Sequence, residues 1–197
     1  YEQGIVYADE HQNAVFTMRS FSGVDKVSQS QGAKKSPTPT VGAFLRGTRG
    51  ENNSFMGYAI GTNRNQGWFY VGWGGRSGDE IQRIVLCKSP IDALSYLTLE
   101  SQIVRKASIP KTIYLALDST KNLPVEMIKD IPEVVAAYDK DSAGTGLSRD
   151  IQKLLPQTTI FQPIASDWNQ QLLESSRRKI METEAKQSKN KNKGFER

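Results

Sequence analysis

Five aspartates and one lysine carry most of the chemistry available to this sequence. Asp139-Lys140-Asp141-Ser142-Ala143-Gly144 follows the apolar run Val-Val-Ala-Ala-Tyr. Where a strand ends and the chain bends, carboxylates at i and i+2 can converge. Two converging carboxylates plus water make a Mg²⁺ or Mn²⁺ site, because Mg²⁺ keeps much of its hydration and takes one or two protein oxygens. Upstream, Ile84-Val-Leu-Cys-Lys88-Ser-Pro-Ile-Asp92 reads as a buried strand, a sharp turn and a helix start. Lys88 stands at the strand tip, where a metal site would take a carboxylate. Asp118 ends another apolar run, and Asp167 sits in a later loop. Two other readings of 139–144 stay open. One is a turn that only caps a helix. The other is an EF-hand, which the pattern opposes: Ala143 would fall at loop position 5 and Asp150 would replace the closing Glu.

These side chains need a scaffold that delivers them to one edge. Residues 81–87 form a short, nearly continuous apolar run, the mark of a strand buried on both faces. Ser89 then suits an N-cap, Pro90 the first helical position, and Asp92 closes a capping-box-like pattern. Strands are expected over 112–117, 134–138 and 158–161, and helices over 125–131, 147–155 and 167–174. Strands alternating with helices imply a parallel sheet with helices on its faces. Functional residues in such folds gather at the carboxyl ends of the strands. Lys88, Asp118, Asp139, Asp141 and Asp167 all follow predicted strands. The first 80 residues read differently. Runs at 5–7 and 14–18 flank a polar turn, as in a hairpin. Residues 22–40 are rich in Ser, Gly, Gln, Lys and Pro and read as a flexible loop. Runs at 41–45, 54–60 and 68–73 then predict a small antiparallel sheet.

Composition excludes several classes. With one cysteine, Cys87, and one histidine, His11, there is no disulfide framework and no cysteine-based zinc site. His11 lies in the hairpin turn, where it reads as a surface residue. No stretch approaches the roughly 20 apolar residues of a membrane span. Mean hydropathy is −0.53. The chain starts at Tyr1 and reads as a piece of a longer cytoplasmic protein. Its net charge of +5 is concentrated: residues 176–197 hold eight Lys/Arg against three acids, and the remainder is neutral. That basic, flexible tail can add affinity for nucleic acid by counterion release, or serve as a solvated linker.

With these motifs in place, residues 81–174 resemble a Toprim domain, the fold shared by bacterial primases, topoisomerases and some nucleases. The pattern is an apolar strand ending in Glu, an Asp four residues on, then a strand ending in Asp-x-Asp-x-Ala-Gly. Ser166-Asp167-Trp168-Asn169 and Ser89-Pro90-Ile91-Asp92-Ala93-Leu94-Ser95 are similar to motifs of its plasmid-associated branch. Asn13-Ala14-Val15-Phe16, Arg46-Gly47-Thr48 and Gly67-Trp68-Phe69 resemble the small domain of unknown function that precedes Toprim in plasmid relaxases and related mobilisation or replication proteins. The resemblance implies an α/β fold: a Toprim-like parallel sheet flanked by helices over 81–175, preceded by a β-rich accessory domain over 1–80, with a basic tail at 176–197. It implies that Asp139 and Asp141 hold Mg²⁺, with Asp167 as a further acid. It places Asp92 at the helix-start acid and Lys88 at the position of the catalytic glutamate.

That departure divides the functional expectation. A protonated lysine cannot ligate a metal, and its charge beside Asp139 and Asp141 competes with one. At an effective dielectric near 20, opposite charges ~4 Å apart gain about 4 kcal/mol before desolvation. Lys88 therefore marks a catalytically silent binding module, a substitute that contacts phosphate directly, or a strand tip whose side chain turns to solvent. In the leading domain, Arg46, Arg49 and Arg64 stand among aromatics, a composition suited to single-stranded DNA, although the aromatics also read as the core of a small sheet. The expectation is a DNA-processing Toprim fragment of a relaxase or primase type. It performs Mg²⁺-dependent phosphoryl transfer if active, and otherwise binds nucleic acid or protein.

Overall fold

The computed structural model describes residues 4–20, 39–50, 55–76, 78–105 and 108–193, with side chains to residue 185. The loop expected over 22–40 lies almost wholly outside them.

The leading region folds as a four-stranded antiparallel sheet in the order β1 (Val6–Ala8), β2 (Ala14–Arg19), β3 (Thr40–Arg46), β4 (Met56–Tyr58). Asp9 closes the β1–β2 turn by accepting the backbone N–H groups of His11 and Asn13. The second sheet has five strands in the order β5-β7-β6-β8-β9. Its parallel members are β6 (Arg83–Cys87), β7 (Thr112–Ala116), β8 (Glu133–Ala136) and β9 (Thr158–Ile160). Antiparallel β5 (Tyr70–Trp73) forms one edge.

This last strand corrects the sequence expectation, which placed 68–73 in the leading sheet. Trp68, Phe69 and Tyr70 are all buried. Consecutive residues point to opposite faces of a strand, so such a run needs cover on both sides. An edge position in the layered sheet supplies it. Trp68 and Tyr70 join Ile84, Leu86, Ile113 and Leu115 in one core, and Phe69 joins Val85, Cys87 and Tyr114 in the other. Phe16 of β2 packs edge-on against Phe69 at 5.5 Å, and an isolated bridge joins Arg19 to Trp68, so the two sheets meet there.

Helices α1 (Pro90–Ile103), α2 (Val125–Ile128), α3 (Ser142–Leu154) and α4 (Trp168–Lys193) complete the layers. A 3₁₀ turn spans Thr120–Asn122. Helix α3 begins five residues before the expected 147, because Asp141 caps it and Gly144 and Gly146 hide its start in the sequence. Helix α4 runs to Lys193 rather than ending near Glu174. Residues 176–193 contain no Gly or Pro and many Lys, Arg, Glu and Gln, all good helix formers. No described helix is long and apolar enough to cross a membrane.

Candidate functional site

Strands β6, β8 and β7 end side by side, and Lys88, Asp139 and Asp118 follow them. Lys88 comes directly after β6, and its Nζ donates to Asp139 Oδ2 at 2.7 Å. The lysine side chain is half exposed, whereas that of Asp139 is 11% exposed. Asp139 Oδ1 is buried without a hydrogen-bond partner. The hydrogen bond to Asp139, together with the negative fields of Asp139, Asp141 and Asp92, holds the Lys88 pKa above its ordinary value against burial. The lysine therefore faces the aspartates rather than turning away from them.

Asp92 lies under this rim. Ser89 caps α1 by accepting Asp92 N–H at 3.2 Å, and the Ser89 hydroxyl donates to Asp92 Oδ2 at 2.6 Å. Burial raises the Asp92 pKa, the fields of Asp139 and Asp167 add to the rise, and the bonds from Ser89 and the Asn169 backbone oppose it. Asp141 is tied down locally, since its Oδ1 accepts Gly144 N–H at 2.7 Å at the start of α3. Asp167 does the same for α4, accepting Gln170 N–H at 2.7 Å, while its other oxygen receives the Ser166 hydroxyl at 3.0 Å.

The carboxylates expected to hold Mg²⁺ thus share a rim but not a coordination sphere. Among the described residues, no group of three or more His, Cys, Asp or Glu side chains could hold a metal ion. Asp141 and Asp167 each give one oxygen to a helix start, and the Lys88 ammonium holds Asp139 Oδ2. The orphaned Asp139 Oδ1 fits a cation. With Lys88 on Asp139, the described side chains do not assemble three ligands for a divalent ion.

The leading domain reaches the same rim. Arg64 donates to both oxygens of Asp118, at 2.7 Å to Oδ2, and Tyr58 donates to Oδ2 at 3.0 Å. The Arg64 guanidinium lies 4.2 Å from the Tyr58 ring centre. Burial and the Asp118 charge push the Tyr58 pKa up to about 12. Arg64, expected to meet nucleic acid, is therefore committed to a carboxylate. Arg49 is exposed and donates to Gln12 Oε1 at 3.0 Å, and Arg46 ends β3.

Three further residues support the rim. Gln162 holds the Asp139 carbonyl and the Thr145 hydroxyl, both at 3.1 Å. Trp168 buries its indole and donates to Ala137 O at 2.8 Å, pinning α4 beneath the β8 end. Gly144 lies so close to the Asp139 carbonyl that a side chain there would overlap it. The Ser-Asp-Trp-Asn motif and the Gly after Asp-x-Asp had already marked Trp168 and Gly144 in the sequence. Nothing in the sequence marks Gln162.

The fold and the row of acids at the strand ends define a Toprim-type module, and residues 85–172 match the family described as Toprim-like. Residues 1–77 match the protein family of unknown function DUF3991. The chain is thus a Toprim-like domain preceded by a DUF3991 domain. No curated protein matches it. Among solved structures it is similar to the primase fragment of the bacteriophage T7 primase-helicase, with a TM-score of 0.57 at 15% identity over 90% of this chain. The chain spans 65% of that fragment's length. It is also similar to a chain of a bacteriophage T7 lagging-strand DNA polymerase assembly with primase domains bound to an RNA/DNA hybrid and dTTP. There the TM-score is 0.53 at 14% identity, covering 89% of this chain and 78% of the other. At these identities the likeness is one of fold.

Proposed function

We propose that this chain is a DNA-handling module of a primase- or relaxase-type protein from a plasmid or other mobile element, with a Toprim rim electrostatically closed by Lys88. The observation that carries this reading is the 2.7 Å contact between Lys88 Nζ and Asp139 Oδ2. The ammonium supplies positive charge where a divalent ion would lie, and it removes the glutamate ligand at the same position. The rim keeps five carboxylates, at Asp92, Asp118, Asp139, Asp141 and Asp167, against Lys88, Lys140 and Arg64. Without a metal that balance repels phosphate. The module then acts by binding single-stranded DNA or neighbouring domains of a longer cytoplasmic protein, with Arg46 and Arg49 among the contacts. A second reading is phosphoryl transfer dependent on Mg²⁺ or Mn²⁺, and the buried, unpartnered Asp139 Oδ1 favours it.

Calorimetric titration of Mg²⁺ and Mn²⁺ into the chain and into Lys88→Glu separates the two. The expected result is no measurable binding to the chain and clear binding to Lys88→Glu. Tight binding by the unmodified chain, or no gain in Lys88→Glu, would overturn the reading of a closed rim.

A further inference from the structure

Helix α4 carries a feature that the Toprim site does not use. Its first half packs on α1: Trp168 meets Tyr96 with ring centres 4.6 Å apart, and Lys179 donates to Gln102 Oε1. Ser95 bonds Asn169 near the start of both helices, so α1 and α4 run in the same direction. Helix α1 starts at the carboxyl rim and ends at Ile103, beside Lys179. From there α4 continues to Lys193, roughly four more turns, from the end of the sheet opposite the rim.

The basic residues of this extension are not scattered around it. At 3.6 residues per turn, the helix positions of Arg178, Lys179, Lys186, Lys189 and Lys193 fall within an arc of about 100°. Glu182 shares the arc, and Arg177 and Lys191 lie on the other side. The arc continues the face that Trp168 and Lys179 turn toward α1. Beside α1 that arc holds Trp168, Gln171 and Ser175, and beyond α1 its positions are taken by Glu182, Lys186, Lys189 and Lys193. After Met181 the only apolar residue in α4 is Ala185. The extension thus lacks the broad apolar face with which an amphipathic helix enters a membrane surface. A row of basic positions along one helix face matches instead a line of phosphates, whose binding releases counterions.

We infer that the carboxyl-terminal half of α4 is a nucleic-acid-binding surface that engages the phosphate backbone through this single stripe, at the end of the domain away from the acidic rim. The inference rests on the module handling nucleic acid and is independent of what Lys88 does to metal. It differs from simple attraction to a charged tail, because it requires one face of the helix.

Two double variants of equal net charge test it: Lys186→Gln with Lys189→Gln on the stripe, and Arg177→Gln with Lys191→Gln off it. Affinity for a duplex and for a single-stranded oligonucleotide is measured by fluorescence anisotropy across a salt series. Circular dichroism checks that helix content is equal. Lys186→Arg with Lys189→Arg serves as the charge-preserving rescue. On the duplex, the stripe pair should lower the slope of log K against log salt by about 1.8, at ~0.9 per phosphate contact. The off-stripe pair and the Arg rescue should keep the slope of the unmodified chain. Equal losses in both Gln pairs, no loss in either, or tighter binding to phosphatidylserine vesicles than to either oligonucleotide would overturn the inference. Metal calorimetry on Lys88→Glu reads the rim separately, so failure there and failure here are distinguishable.

Discussion

Replacing Lys88 with Met is the most direct probe of the rim. Met keeps much of the length and apolar stem of the lysine and removes the charge. What it leaves behind is the Asp139 carboxylate, largely buried, with Oδ2 stripped of its donor and Oδ1 already without one. A pair of unit charges ~4 Å apart at an effective dielectric of 20 gains about 4 kcal/mol. Lys88 is half in water, which pulls the value toward the ~0.2–1 kcal/mol of exposed pairs. The buried partner pulls it back toward the 3–5 kcal/mol that follows breaking a buried pair. The expected loss is about 1–2 kcal/mol, a fall in Tm of about 2–8 °C for a chain of this size. Urea and thermal unfolding of Lys88→Met, Asp139→Asn and the double variant give the coupling directly. The double variant should recover most of the loss, because Asn carries no charge to leave unpaired.

The pH dependence has a definite sign. The bond to Asp139 raises the Lys88 pKa above 10.5. A base raised in the folded state contributes its full stability below the unfolded value and loses it as pH climbs through the folded one. The advantage of the unmodified chain over Lys88→Met is therefore constant through neutral pH and shrinks above 10.5. A Lys88→Met chain as stable as the parent at pH 7, or a double variant no better than the sum of the singles, would refute the reasoning.

Gly144→Ala places a methyl group against the Asp139 carbonyl, so α3 must shift from the β8 end. Chemical denaturation should register a loss of about 1–3 kcal/mol, the usual cost of overpacking, and Gly146→Ala, where space is open, should not show it. Asp118→Asn removes one of the two main causes that raise Tyr58. Ultraviolet titration, read against Tyr58→Phe to isolate that phenol, should show ionisation falling from about 12 part of the way toward 10.0, since burial remains. An unchanged midpoint would mean that burial alone sets it.

Much of the fold can be read from local pattern. The β6-to-α1 junction follows from an apolar run and Ser-Pro-Ile-Asp, because capping depends on residues three apart. Alternation along β6 divides Ile84 and Leu86 from Val85 and Cys87 between the two cores. The start of α3 was less legible, since two glycines dilute the periodic signal there. The length of α4 could have been read from its composition, but a cluster of charges reads equally well as a solvated tail.

The candidate site divides in the same way. The sequence alone determined that acids follow successive strands and that a lysine stands where the family places glutamate, because strand-end position is a local property. Tertiary structure decided which of those acids meet. Asp141 and Asp167 spend one oxygen each on a helix start, Asp118 is taken by Arg64 and Tyr58 from the leading domain, and Asp139 receives Lys88. Those pairings span 50 or more residues of chain in the last two cases. They depend on strand order and on how two sheets pack, and β5 leaving the leading sheet for the parallel one is the clearest instance. Spacing along the sequence encodes neither, because contact between distant segments is set by which buried faces must be covered.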